Sequence, residues 1–540
     1  VKSHLTIPAL ARLKSSFAFA ALVLIGLGLV MRFSAVALWD DAWFYTRYAA
    51  QLLQHGHYRW NAFGESAYGL TAPAYGLQTV LLQALGLLPG FALWVLSVVW
   101  GVGALGATHR LVPVRADETG RLRHWLSAFF WATVALNAPM LLVHMSSGMD
   151  TTFAMAYFAA YLLLLHAFEP QLSPGKAFLT GIVGGLAWTI RPDLMLFTVG
   201  VPLAWAIFFK DPVQRREAYY TLLFTAFSVL LQSWVAMRTF GTLLPLSFYA
   251  KSLNPYGEAI AAAYRWAGLG HWALFMAVNL LPMLAIAVSC WRGGRVWWRF
   301  LSIAERALLV ALALFMAYHL LLVLPVMGYT ARFYYPAWPL LLWLGGRSLV
   351  FLWRTEPQWA EALVMRLRPR AWALGLGLSM LALGGLAVWQ GKPPGTKAHF
   401  AQFDAHSAYH ALGRDNWPCL ETLDRLPSSL SIASTELGIL GALNYERRIV
   451  DLSGLHDADA VQLGFDADKL LHLQRPDLIY LPQDDYAEMR AAIVAHPDFD
   501  TLYLAYPAAE LDAFQGMALR KDSPFLAEMQ AAVAVRLQGR

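Results

Sequence analysis

The chain has 540 residues, 58% of them hydrophobic and only 14% charged, with a mean hydropathy of +0.46. A soluble domain carries about 25% charge, so the composition excludes a single soluble globule and calls for a polytopic membrane protein with a less apolar C-terminal part. The net charge of +6 is no sign of nucleic-acid binding, because most basic residues fall in loops on one side of the expected bundle.

A spanning helix needs about 20 apolar residues. The first apolar stretch, Phe17 to Val36, follows Lys2, Arg12 and Lys14. It lacks a small-residue cleavage site and further apolar segments follow, so an uncleaved anchor is expected rather than a signal peptide. Further spans are expected over 91–109, 125–144, 151–167, 177–190, 194–209, 219–237, 271–290, 306–326, 335–352 and 371–389, about eleven in all by hydropathy. The 74–88 stretch is shorter and carries Gln78 and Gln83, which suits a helix lying at the interface. With the N-terminus cytoplasmic, Lys and Arg are in roughly threefold excess in the inside loops, as the positive-inside rule requires. The outside then receives Asp40–Pro73, Ser146–Asp150, Arg191–Asp193, Phe240–Gly270, Gly328–Tyr334 and everything after Gln390. Cys290 and Cys419 fall on opposite sides, so no disulfide is expected, and neither has zinc-site spacing.

The character changes at Lys392-Pro393-Pro394-Gly395. Residues 1–390 read as the membrane domain and 391–540 as a soluble α/β domain on the outer side. Strands are expected at Ser431–Ser434, Arg448–Leu452, Leu478–Leu481 and Thr501–Ala505, with a helix over Glu436–Leu443. The chain has no internal repeat, P-loop or dinucleotide fingerprint.

The stretch from Leu38 to Pro73 concentrates the chemistry. It opens with adjacent carboxylates, Asp40 and Asp41, at the mouth of an apolar helix, where acids are costly and mark functional sites. The other charges of the outward loops are few: Arg47, Glu65, Asp150, Arg191, Asp193, Lys251, Glu258, Arg265 and Arg332. Moving a sugar from a lipid phosphate needs a carboxylate to take the acceptor proton and fixed positive charge where the leaving phosphate gains negative charge. The acids at 40 and 41 and the cations at 191, 251 and 332 fit that division, and the planar fork of arginine suits a phosphate. Plainer roles compete at each position. Asp40 and Asp41 suit capping of the following helix, and Asp150 suits capping of 151–167. Arg191-Pro192-Asp193 suits a turn with its own ion pair. Lys251 and Arg332 suit interfacial snorkelling. His55 and His57 lack metal-ligand spacing, and Trp39, Trp43, Tyr45, Trp60, Tyr249, Tyr334 and Tyr335 suit an interfacial aromatic belt.

The ordered motifs resemble a family. Asp40-Asp41, Arg47-Tyr48, Gly56-His57, Asn61, Gly64-Glu65 and Tyr68 to Pro73 resemble the first outer loop of polyprenyl-phosphate-dependent glycosyltransferases of the C superfamily (GT-C), most nearly its cell-wall β-arabinofuranosyltransferase-like branch. Ser147 to Asp150, Arg191-Pro192-Asp193, Leu244-Pro245, Ser247 to Lys251, Arg332-Phe333 and Val450 to Asp457 follow in the same order. Asp150 stands where the family often has Glu, and Leu246 where it has Asn.

The resemblance implies a polytopic helical membrane domain with two interfacial helices, Asp41–Gln54 and Ala74–Leu88, in the first outer loop. It implies an inverting glycosyltransferase at the outer, periplasmic face of a bacterial cytoplasmic membrane. The donor is a polyprenyl-phosphate sugar, in this branch arabinofuranose, and the acceptor a glycan or protein. Asp40 is the expected base and Asp41 its orienting partner, with the roles exchangeable. Arg191, Lys251 and Arg332 are expected on the donor phosphate, and Arg47, Tyr68, Thr71, Asp150, Asp193 and Tyr249 on the substrates. No cofactor, no obligatory metal and no nucleic-acid partner are expected. Two other classes stay open: a transporter or flippase for lipid-linked sugars, which should show pseudo-symmetric halves, and a non-catalytic glycan-binding membrane subunit, which would tolerate loss of both aspartates.

Overall fold

The computed structural model describes residues 38–62, 66–112, 120–169, 171–253, 258–325, 328–356, 358, 403–412 and 417–538. The expected spans at 17–36 and 371–389, Glu65 and the boundary at 390/391 lie outside the described residues.

The first long loop opens with a 3-10 turn, Asp40–Ala42, that runs into helix α1 (Trp43–His55). α1 ends at Gly56, whose φ of 72° is the left-handed cap conformation glycine adopts without a Cβ clash. Its first nine residues, Trp43 to Gln51, are all buried, so this helix is enclosed by protein along most of its length. Helix α2 (Pro73–Ala84) begins with proline at N1, where no N–H is needed. It buries Tyr75, Gly76 and Thr79 and exposes Leu77, Leu81 and Leu85 at helical spacing. That division suits a helix lying in the interface.

Five described helices are long and apolar enough to cross a membrane: α3 (Pro89–Leu111), α4 (Gly120–Ser146), α5 (Thr151–Phe168), α6 (Pro212–Phe240) and α7 (Ile303–Leu321). The expected span at 271–290 is a bent pair, Ala261–Val278 and Leu280–Phe300, meeting at 77°. The bend has an identifiable cause. Residue 282 is proline and offers no N–H to the Val278 carbonyl. Asn137 of α4 donates to that carbonyl instead (3.0 Å) and to the Asn279 side chain (3.2 Å). The 177–190 stretch divides into helices Pro174–Gly185 and Ala187–Ile190, and 194–209 forms the 14-residue helix Met195–Phe208. Helix α8 (Trp338–Thr355) is buried through most of its length. By contrast, α6 exposes Leu223, Phe227, Leu230 and Trp234 on one side, as a lipid-facing helix does. The protein is thus a multi-pass helical membrane protein with a C-terminal α/β domain.

That domain holds a five-stranded sheet in the order β2-β1-β3-β5-β4. The strands are β1 (Ile432–Ser434), β2 (Ile449–Asp451), β3 (Leu478–Tyr480), β4 (Tyr503–Tyr506) and β5 (Met517–Arg520). β1 pairs in parallel with β2 and β3, while β5 pairs antiparallel with β3 and β4. The three parallel strands are wholly buried, as strands covered on both faces must be. Four strands fall where the pattern of the sequence puts them. β5 does not announce itself, because Met-Ala-Leu-Arg is a run of helix formers; pairing on both sides holds it extended. Helix α9 (Gly438–Leu443) links β1 to β2 and packs on α1, which seats the domain on the first long loop.

Candidate active site

A cavity of about 260 Å³ lies where the first loop, the membrane helices and the C-terminal domain meet. The first loop contributes Asp40, Asp41, Gly69, Leu70 and Thr71, and the turn before α8 contributes Arg332. The C-terminal domain contributes the segments that leave its parallel strands. Thr435, Glu436 and Leu437 follow β1, Ser453 and Leu455 follow β2, and Gln483 and Asp485 follow β3. β1 lies between β2 and β3, so the cavity sits at the carboxyl ends of the strands beside a topological switch point. That is where open α/β sheets form a ligand crevice.

The two aspartates do different things. Both oxygens of Asp40 are occupied: the Gly438 and Ile439 amides donate to them at 2.9 and 2.8 Å. Asp40 therefore caps α9 of the other domain, not the helix that follows it in sequence. Burial pushes its carboxyl up to about 6, Asp41 adds to that, and the two amides oppose it. Asp41 instead lines the cavity and faces Arg332, whose guanidinium lies 3.5 Å from Oδ2. The expectation that Asp40 is the base meets this obstacle: its lone pairs are directed at backbone amides across the domain interface. Gly438 is required there, since a Cβ would lie 1.9 Å from the Asp40 carbonyl oxygen.

Arg47 is also structural. It is fully buried and donates to the carbonyls of Trp60 (2.6 Å), Gly441 (2.7 Å), Asn444 (3.1 Å) and Arg447 (2.6 Å) and to Asn61 Oδ1 (3.0 Å). Burial pulls its guanidinium down to about 9. The carbonyls it holds include those at the C-terminal end of α9, where a cation is favoured. α9 is thus gripped at both ends by the first loop, by an acid on its amides and a cation on its carbonyls. The expected substrate contact from Arg47 is corrected accordingly, because its donors are already committed to the protein.

The remaining expected residues divide between the cavity and its walls. Thr71 lines the cavity beside Ser247, with their hydroxyls 3.4 Å apart. Tyr68 stacks on Phe240 at 4.7 Å, and its carbonyl accepts from the Leu246 amide at 2.7 Å. Tyr249 packs beside Ala67, Leu246 and Val461. Neither tyrosine is among the cavity-lining residues. Lys251 belongs to the helix Leu246–Leu253. Asp150 is buried and stands at the N-cap position of α5, but its side chain makes no capping bond. Arg191 pairs with Asp193 at 2.6 Å, and Asp193 also meets His319 at 2.9 Å. Arg191 and Arg332 both lie against Phe333, at 5.8 and 5.2 Å from its ring, so this ring brings the two arginines into one region although only Arg332 lines the cavity.

Glu436 and Asp485 were not among the residues singled out from the sequence. Burial pushes Glu436 up to about 8, reinforced by Asp40, Asp41 and Asp485. Tyr264 donates to Asp485 at 3.2 Å. The position of Glu436 just after a buried β-strand was the available signal. Away from the cavity, Asp468, His472 and His496 form a surface group whose ligand atoms lie within 4.8 Å of one another.

The class defined by the described residues is a helical membrane bundle with an acid pair and two short helices in an early loop, followed by an α/β domain. In particular, the chain is similar to the crystal structure of ArnT from Cupriavidus metallidurans in the apo state. The TM-score is 0.52 at 14% identity, over 94% of this chain and 98% of that one. No family model and no curated protein sequence matches the chain.

Proposed function

We propose that the protein is an inverting GT-C glycosyltransferase that moves a sugar from a polyprenyl-phosphate donor to a glycan or protein acceptor at the outer face of the cytoplasmic membrane. The observation that carries this reading is the Asp41–Arg332 pair, 3.5 Å apart on the wall of one cavity. Asp41 is the base. It accepts the proton of the acceptor hydroxyl as that oxygen bonds to the anomeric carbon. The carbon–oxygen bond to the phosphate breaks on the opposite face, and its electron pair leaves with the polyprenyl phosphate. Arg332 stabilises the negative charge that grows on this leaving group, an interaction stronger in the transition state than in the ground state. Arg191, held by Asp193, adds positive charge on the donor side, and Lys251 is assigned the same role from its sequence motif. The fold shared with ArnT supports the superfamily, and the first-loop motifs support a pentofuranose, arabinofuranose, as the sugar.

The test uses full-length protein in nanodiscs, a panel of radiolabelled polyprenyl-phosphate sugars and an envelope glycan acceptor. Asp41→Asn is expected to lower kcat by about 10²–10⁴-fold while still binding donor. Equal transfer by wild type and Asp41→Asn would reject Asp41 as base, and absence of transfer from every donor would reject the enzyme.

A further inference from the structure

Two side chains of the C-terminal domain face the cavity without an assigned task. Thr435 is only 5% exposed and lines the cavity, yet its hydroxyl has no hydrogen-bond partner among the described residues. Glu436, the next residue, lines the same cavity, and no described amide or side chain hydrogen-bonds its carboxyl. Both sit at the end of β1, at the switch point of the sheet. A buried polar group without a partner is costly, so the Thr435 hydroxyl, with the half-buried Glu436 carboxyl beside it on the same cavity wall, points to a ligand that completes it.

We propose that Glu436, together with the Thr435 hydroxyl, is a specificity-determining group that binds a hydroxyl of a neutral glycan acceptor and holds it towards Asp41. The proposal rests on reading the cavity as a glycosyl-transfer site. A protonated carboxyl both donates and accepts, as a threonine hydroxyl does, and together they match a sugar hydroxyl that does the same. The surrounding charge selects against anions. Asp40 and Asp41 face Glu436 from the first loop and Asp485 faces it from the segment after β3. Arg332, Tyr45, Tyr264 and Tyr486 complete the titratable groups of the cavity, so beside the neutral Glu436 three carboxylates stand against one guanidinium. A uronic acid or phosphorylated acceptor brought to this side meets like charge, whereas a neutral polyol does not. Burial and the three neighbouring acids push the Glu436 carboxyl up to about 8, so it keeps its proton at neutral pH.

The experiment measures transfer by full-length protein in nanodiscs to methyl glycosides of neutral sugars, with the matching uronic acids as the anionic arm. Each pH profile is normalised to its own value at pH 7. Wild-type transfer is expected to fall as pH rises through about 8, approaching tenfold per pH unit. Glu436→Gln keeps an N–H donor and has no proton to lose, so its profile stays level in that window. Glu436→Ala is expected to raise the acceptor KM by about tenfold or more and leave the donor KM unchanged. Superimposable profiles for wild type and Glu436→Gln, or an unchanged acceptor KM in folded Glu436→Ala, would overturn the proposal. Infrared difference spectra supply a readout without turnover. A protonated-carboxyl band, absent in Glu436→Gln, is expected to shift on adding the neutral glycosides. If no donor is used but the band shifts, glycosyl transfer fails and the Glu436 contact stands. If the band is missing or does not shift, the contact fails whatever the enzyme does.

Discussion

Two neighbouring aspartates have opposite environments. Asp40 lies with both oxygens on amides, while Asp41 faces a guanidinium across a cavity wall. Their substitutions should separate accordingly. Asp40→Asn can satisfy only one of the two amides with its single oxygen, so a loss of about 1–3 kcal/mol in stability is expected, read as a lower midpoint in chemical unfolding of the nanodisc-embedded protein. Asp41→Asn should leave that midpoint in place and remove transfer. Glu436 gives a pH signature of its own. Its carboxyl titrates near 8 in the folded protein and near 4.3 in an unfolded chain (about, by the reference value). Between those values the folded state binds the extra proton, so the Glu436 contribution is full at low pH and declines as pH rises towards about 8, then levels off. Glu436→Gln lacks this proton. The stability of the variant relative to wild type should therefore climb from about pH 4.3 to about pH 8, and a difference that is flat with pH would contradict the buried protonated state.

At the scale of elements, α9 transmits the position of the C-terminal domain to the cavity. Its amides rest on Asp40 and its C-terminal carbonyls on Arg47. Only six residues long, it has little stability of its own and depends on these contacts. Arg47→Met should leave several buried carbonyls unpaired and cost about 3 kcal/mol or more. The expected readout is faster limited proteolysis within 403–538 in intact nanodiscs, with the membrane helices still protected. Lysine would not restore the grip, because one ammonium cannot span acceptors that a planar guanidinium reaches from three nitrogens. Proteolysis unchanged from wild type would show that other contacts seat the domain.

Across the whole molecule, the positive-inside rule applied to the basic loops predicts the cavity and the sheet on the outer side. The exposed Asp484 after β3 and the exposed Arg215 at the start of α6 should then lie on opposite sides of the membrane. With Cys290 and Cys419 replaced by serine, Asp484→Cys should react with a membrane-impermeant maleimide in spheroplasts. Arg215→Cys should react only after permeabilisation. The reverse pattern would invert the topology and remove the outer-leaflet donor from the proposed function.

The helical class and the presence of a C-terminal α/β domain were readable in the sequence. Hydropathy and alternation report burial, and burial is a property each segment carries with it. Four strands and the helix α2 followed from the same signal, while α1 was expected from the resemblance of the first-loop motifs. Tertiary structure decided what pattern cannot hold. β5 is extended because strands flank it, against the preference of its residues. The bend at Asn279 depends on Asn137 of another helix answering a carbonyl freed by Pro282. Asp40 and Asp41 are adjacent and chemically identical in the sequence. Only the approach of α9, some 400 residues away along the chain (398 for the Gly438 amide), occupies one carboxylate and leaves the other facing the cavity. Glu436 owes its raised carboxyl first to burial and then to acids from two other segments. Sequence determines which groups are present and how each segment buries itself; the identity of the groups that meet, and hence their charge and availability, is decided by contacts between distant segments.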